Sequence, residues 1–244
     1  TCVQCIRHSM NEHGIIDVHA HIIPGVDDGS RSMGESIRLL KHAAEQGICG
    51  VIATPHYSRQ KSRQVYQDRF EELKQYVAKS IPGFSLWLGQ ETYYHDELLE
   101  SLRHGHAIPY ESGRHVLIEF SPDVAYSRMF QGLRNISACG YVPVVAHVER
   151  YACMRKHSLE ELKAIGCMLQ MNYDSLKGLA IQPDVRWCRT QIRKEQIDFL
   201  GTDMHRMSYR PPEIREAIHW LKKNTSPEYL EKLTRTNPEK LIQL

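Results

Sequence analysis

Two histidines separated by one residue, in Asp17-Val-His19-Ala-His21, close the first short apolar run of the chain. Alternate side chains on an extended segment share a face, so His19 and His21 are placed to grip one cation. A lone HxH is a weak signal, and its weight comes from what ends the later runs. Gly50–Ala53 leads into Thr54-Pro55-His56, Ser85–Leu88 into Gly89-Gln90-Glu91, and Val116–Ile118 into Glu119. Val142–Ala146 is followed by His147, Met168–Met171 by Asn172, and Ile197–Leu200 by Gly201-Thr202-Asp203-Met204-His205. Asp27 or Asp28 adds a carboxylate from the loop after the first run. These are more ligands than one four-coordinate zinc can use, which points to roughly two or three divalent ions. Imidazole suits Zn, Fe or Mn, and carboxylates such as Glu91 and Glu119, able to bridge two ions, draw the preference toward harder cations.

Arg150 and Arg210 follow His147 and His205 in the same loops. A guanidinium beside a cationic cluster is unfavourable unless an anion lies between them, and its planar fork matches phosphate. A phosphoester substrate is the expectation, with His56 or His205 available to protonate a leaving group if not wholly committed to metal. The seven cysteines include no Cys-x5-Arg loop, which excludes a thiol phosphatase mechanism. Cys2 and Cys5 form a single CxxC with no second pair to complete a zinc ribbon, so reduced thiols in a cytoplasmic protein are expected.

The elements that must carry these residues alternate. Between the apolar runs lie helical segments at Ser32–Gln46, Arg63–Lys79, Glu97–Leu102, Tyr126–Cys139, Ser158–Ile165 and Asp184–Lys194, and three more close the chain at Pro212–Asn224, Ser226–Thr234 and Pro238–Gln243. Ser32-Met-Gly-Glu35 and Ser158-Leu-Glu-Glu161 read as capping boxes, with Gly47 and Gly166 as stops. Ile37, Leu40 and Ala44 give the first helix its apolar stripe, and Ser226 and Asn237 stand as caps before prolines. Apolar strands alternating with helices call for parallel strands under a helical cover. No glycine-rich phosphate loop follows the first strand, which disfavours an open nucleotide-binding sheet and leaves an α/β barrel, where strand exits converge on one face. A net charge of +2 gives no reason to invoke nucleic acid, and no apolar run reaches membrane-spanning length. Residues 1–14 read as an extension or expression remnant before one barrel domain over 15–244. The remaining histidines (His8, His13, His42, His95, His104, His106, His115, His157 and His219) are expected at surface or capping positions.

Asp17-Val-His19-Ala-His21, Asp27-Asp28-Gly29, Thr54-Pro55-His56, Glu91, Ile118-Glu119-Phe120, Ala146-His147-Val-Glu149-Arg150-Tyr151 and Asp203-Met204-His205 with Arg210-Pro-Pro resemble the polymerase-and-histidinol-phosphatase (PHP) superfamily. Within it they are most similar to bacterial manganese-dependent protein-tyrosine phosphatases of capsular and exopolysaccharide synthesis, in family order from Ile15 onward. The resemblance implies a distorted barrel of seven parallel strands around three ions, manganese or alternatively Fe, Co or Zn. By position, His19, His21, Glu91 and Asp203 would hold one ion; Glu91, Glu119 and His147 a second; Asp28, His56 and His205 a third. Arg150 and Arg210 would bind phosphate, and the partner implied is a phosphotyrosine-bearing bacterial tyrosine kinase.

A histidinol-phosphate phosphatase of the same superfamily is the alternative, with the same ligands behind a different mouth. An amidohydrolase also opens with HxH but usually carries a bridging lysine at the fourth strand, where this chain has Glu119. A binding module without turnover would have lost a ligand or an arginine, and here every position is filled.

Overall fold

The computed structural model describes residues 14–243. Eight parallel strands form the wall: β1 (Ile15–Ala20), β2 (Ile48–Ala53), β3 (Ser85–Leu88), β4 (Glu91–Tyr93), β5 (His115–Glu119), β6 (Val142–Val145), β7 (Met168–Asn172) and β8 (Phe199–Gly201). They make two sheets, β1-β2-β3 and β4-β5-β6-β7-β8. The seven expected runs are all present, and an unexpected eighth strand, β4, follows the third run where the ladder breaks at Gly89-Gln90. Tyr110 fills the break: a Cβ on Gly89 would lie 2.9 Å from its ring. Gln90 turns aside there to accept a hydrogen bond from the Ile108 amide at 3.0 Å.

Backbone bonds join the two sheets at both edges. On one side His56 bridges to Glu91, and the Glu91 amide donates to the Pro55 carbonyl at 3.1 Å. On the other, the Asp203 amide donates to the His19 carbonyl and the His21 amide to the Met204 carbonyl, each at 2.8 Å. The wall is therefore a distorted barrel. Ile16, Val18, Ile52, Leu117, Val144 and Phe199, from five strands, pack with Tyr110 and Leu241 as its filling. A larger cluster lies between strands and helices.

The covering helices are α1 (Met33–Glu45), α2 (Arg63–Ser80), α3 (Leu98–Arg103), α4 (Tyr126–Ala138), α5 (Leu159–Ala164), α6 (Pro183–Arg193), α7 (Arg215–Asn224), α8 (Pro227–Glu231) and α9 (Asn237–Ile242). Ser32 caps α1 by accepting from the Glu35 amide, but Glu35 reaches back to the Arg31 amide rather than to that of Ser32. The buried stripe of α1 is Ser36, Leu39, Leu40 and Ala43, with Ile37 and Ala44 only half-buried, because the Ser36 hydroxyl turns inward to the Ile22 carbonyl. Ser158 caps α5 through the Glu160 amide, while Glu161 is taken by the Tyr126 hydroxyl.

The helix expected from Pro212 starts only at Arg215. Arg210 has a left-handed φ of 55°, and consecutive prolines push the preceding residues out of helical geometry. Asn237 is no cap either. A π-helical turn, Lys232–Thr236, runs straight into α9, and the Asn237 amide group donates to the Asp198 carbonyl instead.

Residues 1–13, with His8, His13, Cys2 and Cys5, lie outside the described residues. His115 departs from its expected surface position: it opens β5, is 8% exposed, and faces the Ser112 hydroxyl at 2.7 Å.

Candidate metal centre

At the carboxyl ends of the strands the sequence-predicted ligands converge. β1 brings His19 and His21, both fully buried, although its pairing with β2 shifts register between Asp17 and Ala20. An irregularity of this kind re-aims side chains, and the two Nε2 atoms meet at 3.2 Å. Glu91, at the start of β4, reaches them from the opposite wall. Its Oε2 lies 3.2 Å from Nε2 of each and 3.2 Å from Nδ1 of His56. Its Oε1 lies 3.0 Å from Nε2 of His147, which also approaches Glu119 Oε1 at 3.4 Å. Asp203 turns its Oδ1 toward His21 and His19, at 3.4 and 3.7 Å.

A second focus lies beside this one. Asp28 Oδ1 stands 3.5 Å from Nε2 of His56 and 3.6 Å from Nε2 of His205. The ring of His205 stacks on that of His21, and its Nδ1–H donates to the Asp203 carbonyl at 2.8 Å, which leaves Nε2 directed at Asp28.

Three groups of ligand atoms emerge: His19, His21 and Glu91; His21, Asp28, His56 and His205; and His56, Glu91 and Glu119. The first and second reproduce most of two of the expected sets. His56 also faces the third, where His147 was placed by position.

The donor set fits divalent cations. Facing imidazole nitrogens with a carboxylate oxygen equidistant from both require a positive centre among them, a proton or a metal ion. His21 shows the strain. Burial favours its neutral ring, yet Asp203, Asp27 and Glu91 hold its pKa well above the usual histidine range. His147 behaves alike: burial opposes protonation, and Glu119 and Glu91 outweigh it to give about 9. Glu91 and Asp203 are held well below the usual carboxylate range, burial being outweighed by the surrounding imidazoles. The side-chain Nδ1 of His147 is buried without a partner among the described residues.

The choice between Asp27 and Asp28 divides by role. Asp28 is exposed and faces the cluster, whereas Asp27 Oδ2 accepts from the His21 ring at 2.8 Å and the His56 amide at 3.0 Å. Asp27, the other carboxylate the sequence offers, orients two candidate ligands instead of facing the cluster. Asp17 opens the first motif and has a supporting rather than a ligand role. Its buried carboxylate accepts from the Thr202 hydroxyl and amide at 2.5 and 2.9 Å and from the His19 amide at 3.2 Å, tying β1 to the β8 exit. Its position two before His19 was the available signal. Gln170, a polar residue inside an apolar run, gave another.

Arg150 and Arg210 reach the site as expected, but on a different partner. Arg150 Nη2 and Arg210 Nη1 both donate to Asp203 Oδ2, at 2.5 and 2.9 Å. The carboxylate supplies the anion that reconciles two guanidiniums with the cluster. Both side chains keep about a third of their surface in solvent (31% and 32%), so a ligand can reach them. His147, Asp203 and Arg210 all have left-handed φ values, 31°, 52° and 55°. Such conformations in non-glycine residues gather at functional sites.

A closed parallel barrel with this ligand set at its strand ends and two arginines alongside has the arrangement of a barrel metallohydrolase. More narrowly, the chain belongs to the capsular polysaccharide synthesis CpsB/CapC family, whose model matches residues 15–243. It is 28% identical to the tyrosine-protein phosphatase CpsB of Streptococcus pneumoniae over 93% of this chain and 98% of that one. It is 27% identical to the tyrosine-protein phosphatase YwqE of Bacillus subtilis, over 94% and 92%. A crystal structure from the study of YwqE and CpsB, described as unique metal-dependent tyrosine phosphatases, superposes with a TM-score of 0.83 at 26% identity, covering 93% of this chain and 94% of that one. The phosphotriesterase homology protein of Escherichia coli shares the fold at 13% identity, with a TM-score of 0.61 over 96% and 100%.

Proposed function

We propose that this protein is a metal-dependent protein-tyrosine phosphatase acting on a bacterial tyrosine kinase that controls capsular or exopolysaccharide synthesis, in the cytoplasm, through one barrel domain over residues 15–244. The observation that carries the reading is Glu91, buried among His19, His21, His56 and His147, with two solvent-reachable arginines beside it. The relatives' phosphatase activity and metal dependence point the same way.

His19, His21, Glu91 and Asp203 would hold one divalent ion; Glu91, Glu119 and His147 a second; Asp28, His56 and His205 a third, manganese in each case. When bound, such ions polarise phosphoryl oxygens and make water a nucleophile near neutral pH. The protein's own groups do the rest. Arg150 and Arg210 are shared between Asp203 and the incoming phosphate, whose oxygens suit their forked donors. Their charge offsets the negative charge that grows on those oxygens in the transition state. If not wholly committed to metal, His56, partly exposed at the mouth, or His205 would return a proton to the departing oxygen. A phenolate, with a pKa about 10, needs that help less than a serine alkoxide does.

The test is hydrolysis of a phosphotyrosine peptide beside histidinol phosphate by chelator-treated protein, with and without manganese. Manganese-dependent turnover of the peptide is expected, lost in His147→Ala and lowered about 10²-fold or more in Arg150→Ala. Preference for histidinol phosphate would overturn the substrate class and keep the site.

A further inference from the structure

Behind the ligands, on β7, two buried amides form a continuous chain. Gln170 is fully buried and Asn172 is 4% exposed. The backbone amide of His147 donates to Gln170 Oε1 at 2.7 Å. A backbone N–H can only donate, so the oxygen end of the Gln170 amide must face it. That same oxygen stands 3.1 Å from Nδ1 of His19. An amide oxygen carries no hydrogen, so the hydrogen of this bond belongs to His19 Nδ1. A neutral His19 then has its lone pair on Nε2, the atom aimed at His21 and Glu91. At its other end Gln170 Nε2 donates to Asn172 Oδ1 at 2.8 Å, and Asn172 Nδ2 donates to Asp203 Oδ2 at 3.1 Å. With Arg150 and Arg210 on the same oxygen, Oδ1 of Asp203 is the one left to face the imidazoles.

From this geometry we infer that Gln170, acting through Asn172, is the positioning residue that presents three candidate ligands in their metal-binding forms. It sets the tautomer of His19, anchors the left-handed turn that carries His147, and through Asn172 turns Asp203. None of these roles requires Gln170 to touch substrate or ion. The inference rests on the proposed metal site, since without cations there is nothing to present.

One orphaned requirement makes the glutamine side chain specific here. It must offer one oxygen to two donors and one N–H to an acceptor, in a site with no water-exposed edge. Leucine supplies neither group. Glutamate, nearly the same shape, keeps the acceptor for His147 and His19 and loses the donor to Asn172.

The experiment measures manganese affinity of the full chain by competition with a chelator, for wild type, Gln170→Leu and Gln170→Glu, alongside the melting temperature of each chelated protein. Outer partners of this kind are worth about 10- to 100-fold in metal affinity. Gln170→Leu is expected to bind manganese at least about tenfold more weakly, with Gln170→Glu between it and wild type. A merely structural glutamine would lower the melting temperature of the chelated protein and leave the manganese affinity of the folded fraction unchanged, and that result would overturn the inference. Should Gln170→Leu not fold, Gln170→Glu decides alone: affinity equal to wild type overturns the assignment. Failure of wild type itself to bind manganese would instead count against the proposed metal site.

Discussion

At the scale of single residues, Asp203 holds the site together. It faces two imidazoles with one oxygen and receives both arginines and Asn172 on the other. Asp203→Asn leaves two guanidiniums without their anion. Chelated Asp203→Asn should lose stability by about 1–3 kcal/mol, less than for a fully buried pair because both arginines keep about a third of their surface in solvent; chemical denaturation reads this directly, and an unchanged stability would contradict the arrangement. His115 yields a pH prediction away from the metal centre. Burial, with help from Arg114 and Lys240, depresses its ring pKa to about 4, against about 6.5 in an unfolded chain. A depressed pKa means that the unfolded chain takes up the proton first, so this contribution is intact above about pH 6.5 and is lost as pH falls toward 4. Between pH 7 and 4.5 the stability of wild type should fall more steeply than that of His115→Gln; parallel curves would exclude the effect. Most ligands at this scale are legible, because each closes an apolar run. Asp17 and Gln170 are not, and Asp27 is legible only as an alternative to Asp28, because their work is to hold other side chains, and only the folded distances reveal which ones.

Among the elements, strands were easier to read than their edges. Apolar runs announce strands whatever their neighbours, so seven of the eight are legible, and only the three-residue β4 has no such run of its own. The break at Gly89-Gln90 depends on Tyr110, twenty residues on in sequence, and no local pattern carries it. Capping behaves similarly: Ser32 and Ser158 are readable as caps, but Glu35 turns to the neighbouring Arg31 amide and Glu161 to the distant Tyr126 hydroxyl. β8 shows how tightly an element can serve the site. A Cβ on Gly201 would lie 2.7 Å from Cβ of His19 and 3.0 Å from Nε2 of Gln170. Gly201→Ala should therefore cost about 1–3 kcal/mol as overpacking. It should also weaken manganese binding, since His19 is the side chain that must yield. A variant as stable as wild type, with unchanged affinity, would show that β8 has room to spare.

Across the whole molecule, the candidate ligands gather at one end, and no cysteine among the described residues belongs to a ligand group. Burial pushes Cys167 and Cys188 up to about 12, far from thiolate formation at neutral pH. Cys139 is exposed. Iodoacetamide on the native protein should label Cys139 and spare Cys167 and Cys188, with phosphatase activity unchanged; peptide mass mapping beside an activity assay reads both, and inactivation tracking a buried thiol would reverse the view of the mechanism. No helix among the described residues is long and apolar enough to cross a membrane.

The barrel wall consists of two sheets, and both places where they meet are places where candidate ligands stand. His56 and Glu91 flank one junction; His19, His21 and Asp203 flank the other. On the proposed ligation a cation held by Glu91 and the β1 histidines works as a clasp fastened across two hinged plates. Loading the site and shutting the cylinder become a single event. Stripping the ion should loosen the seams first, so that amide hydrogens of Glu91 and Asp203 exchange faster while those within β5 and β6 keep their protection.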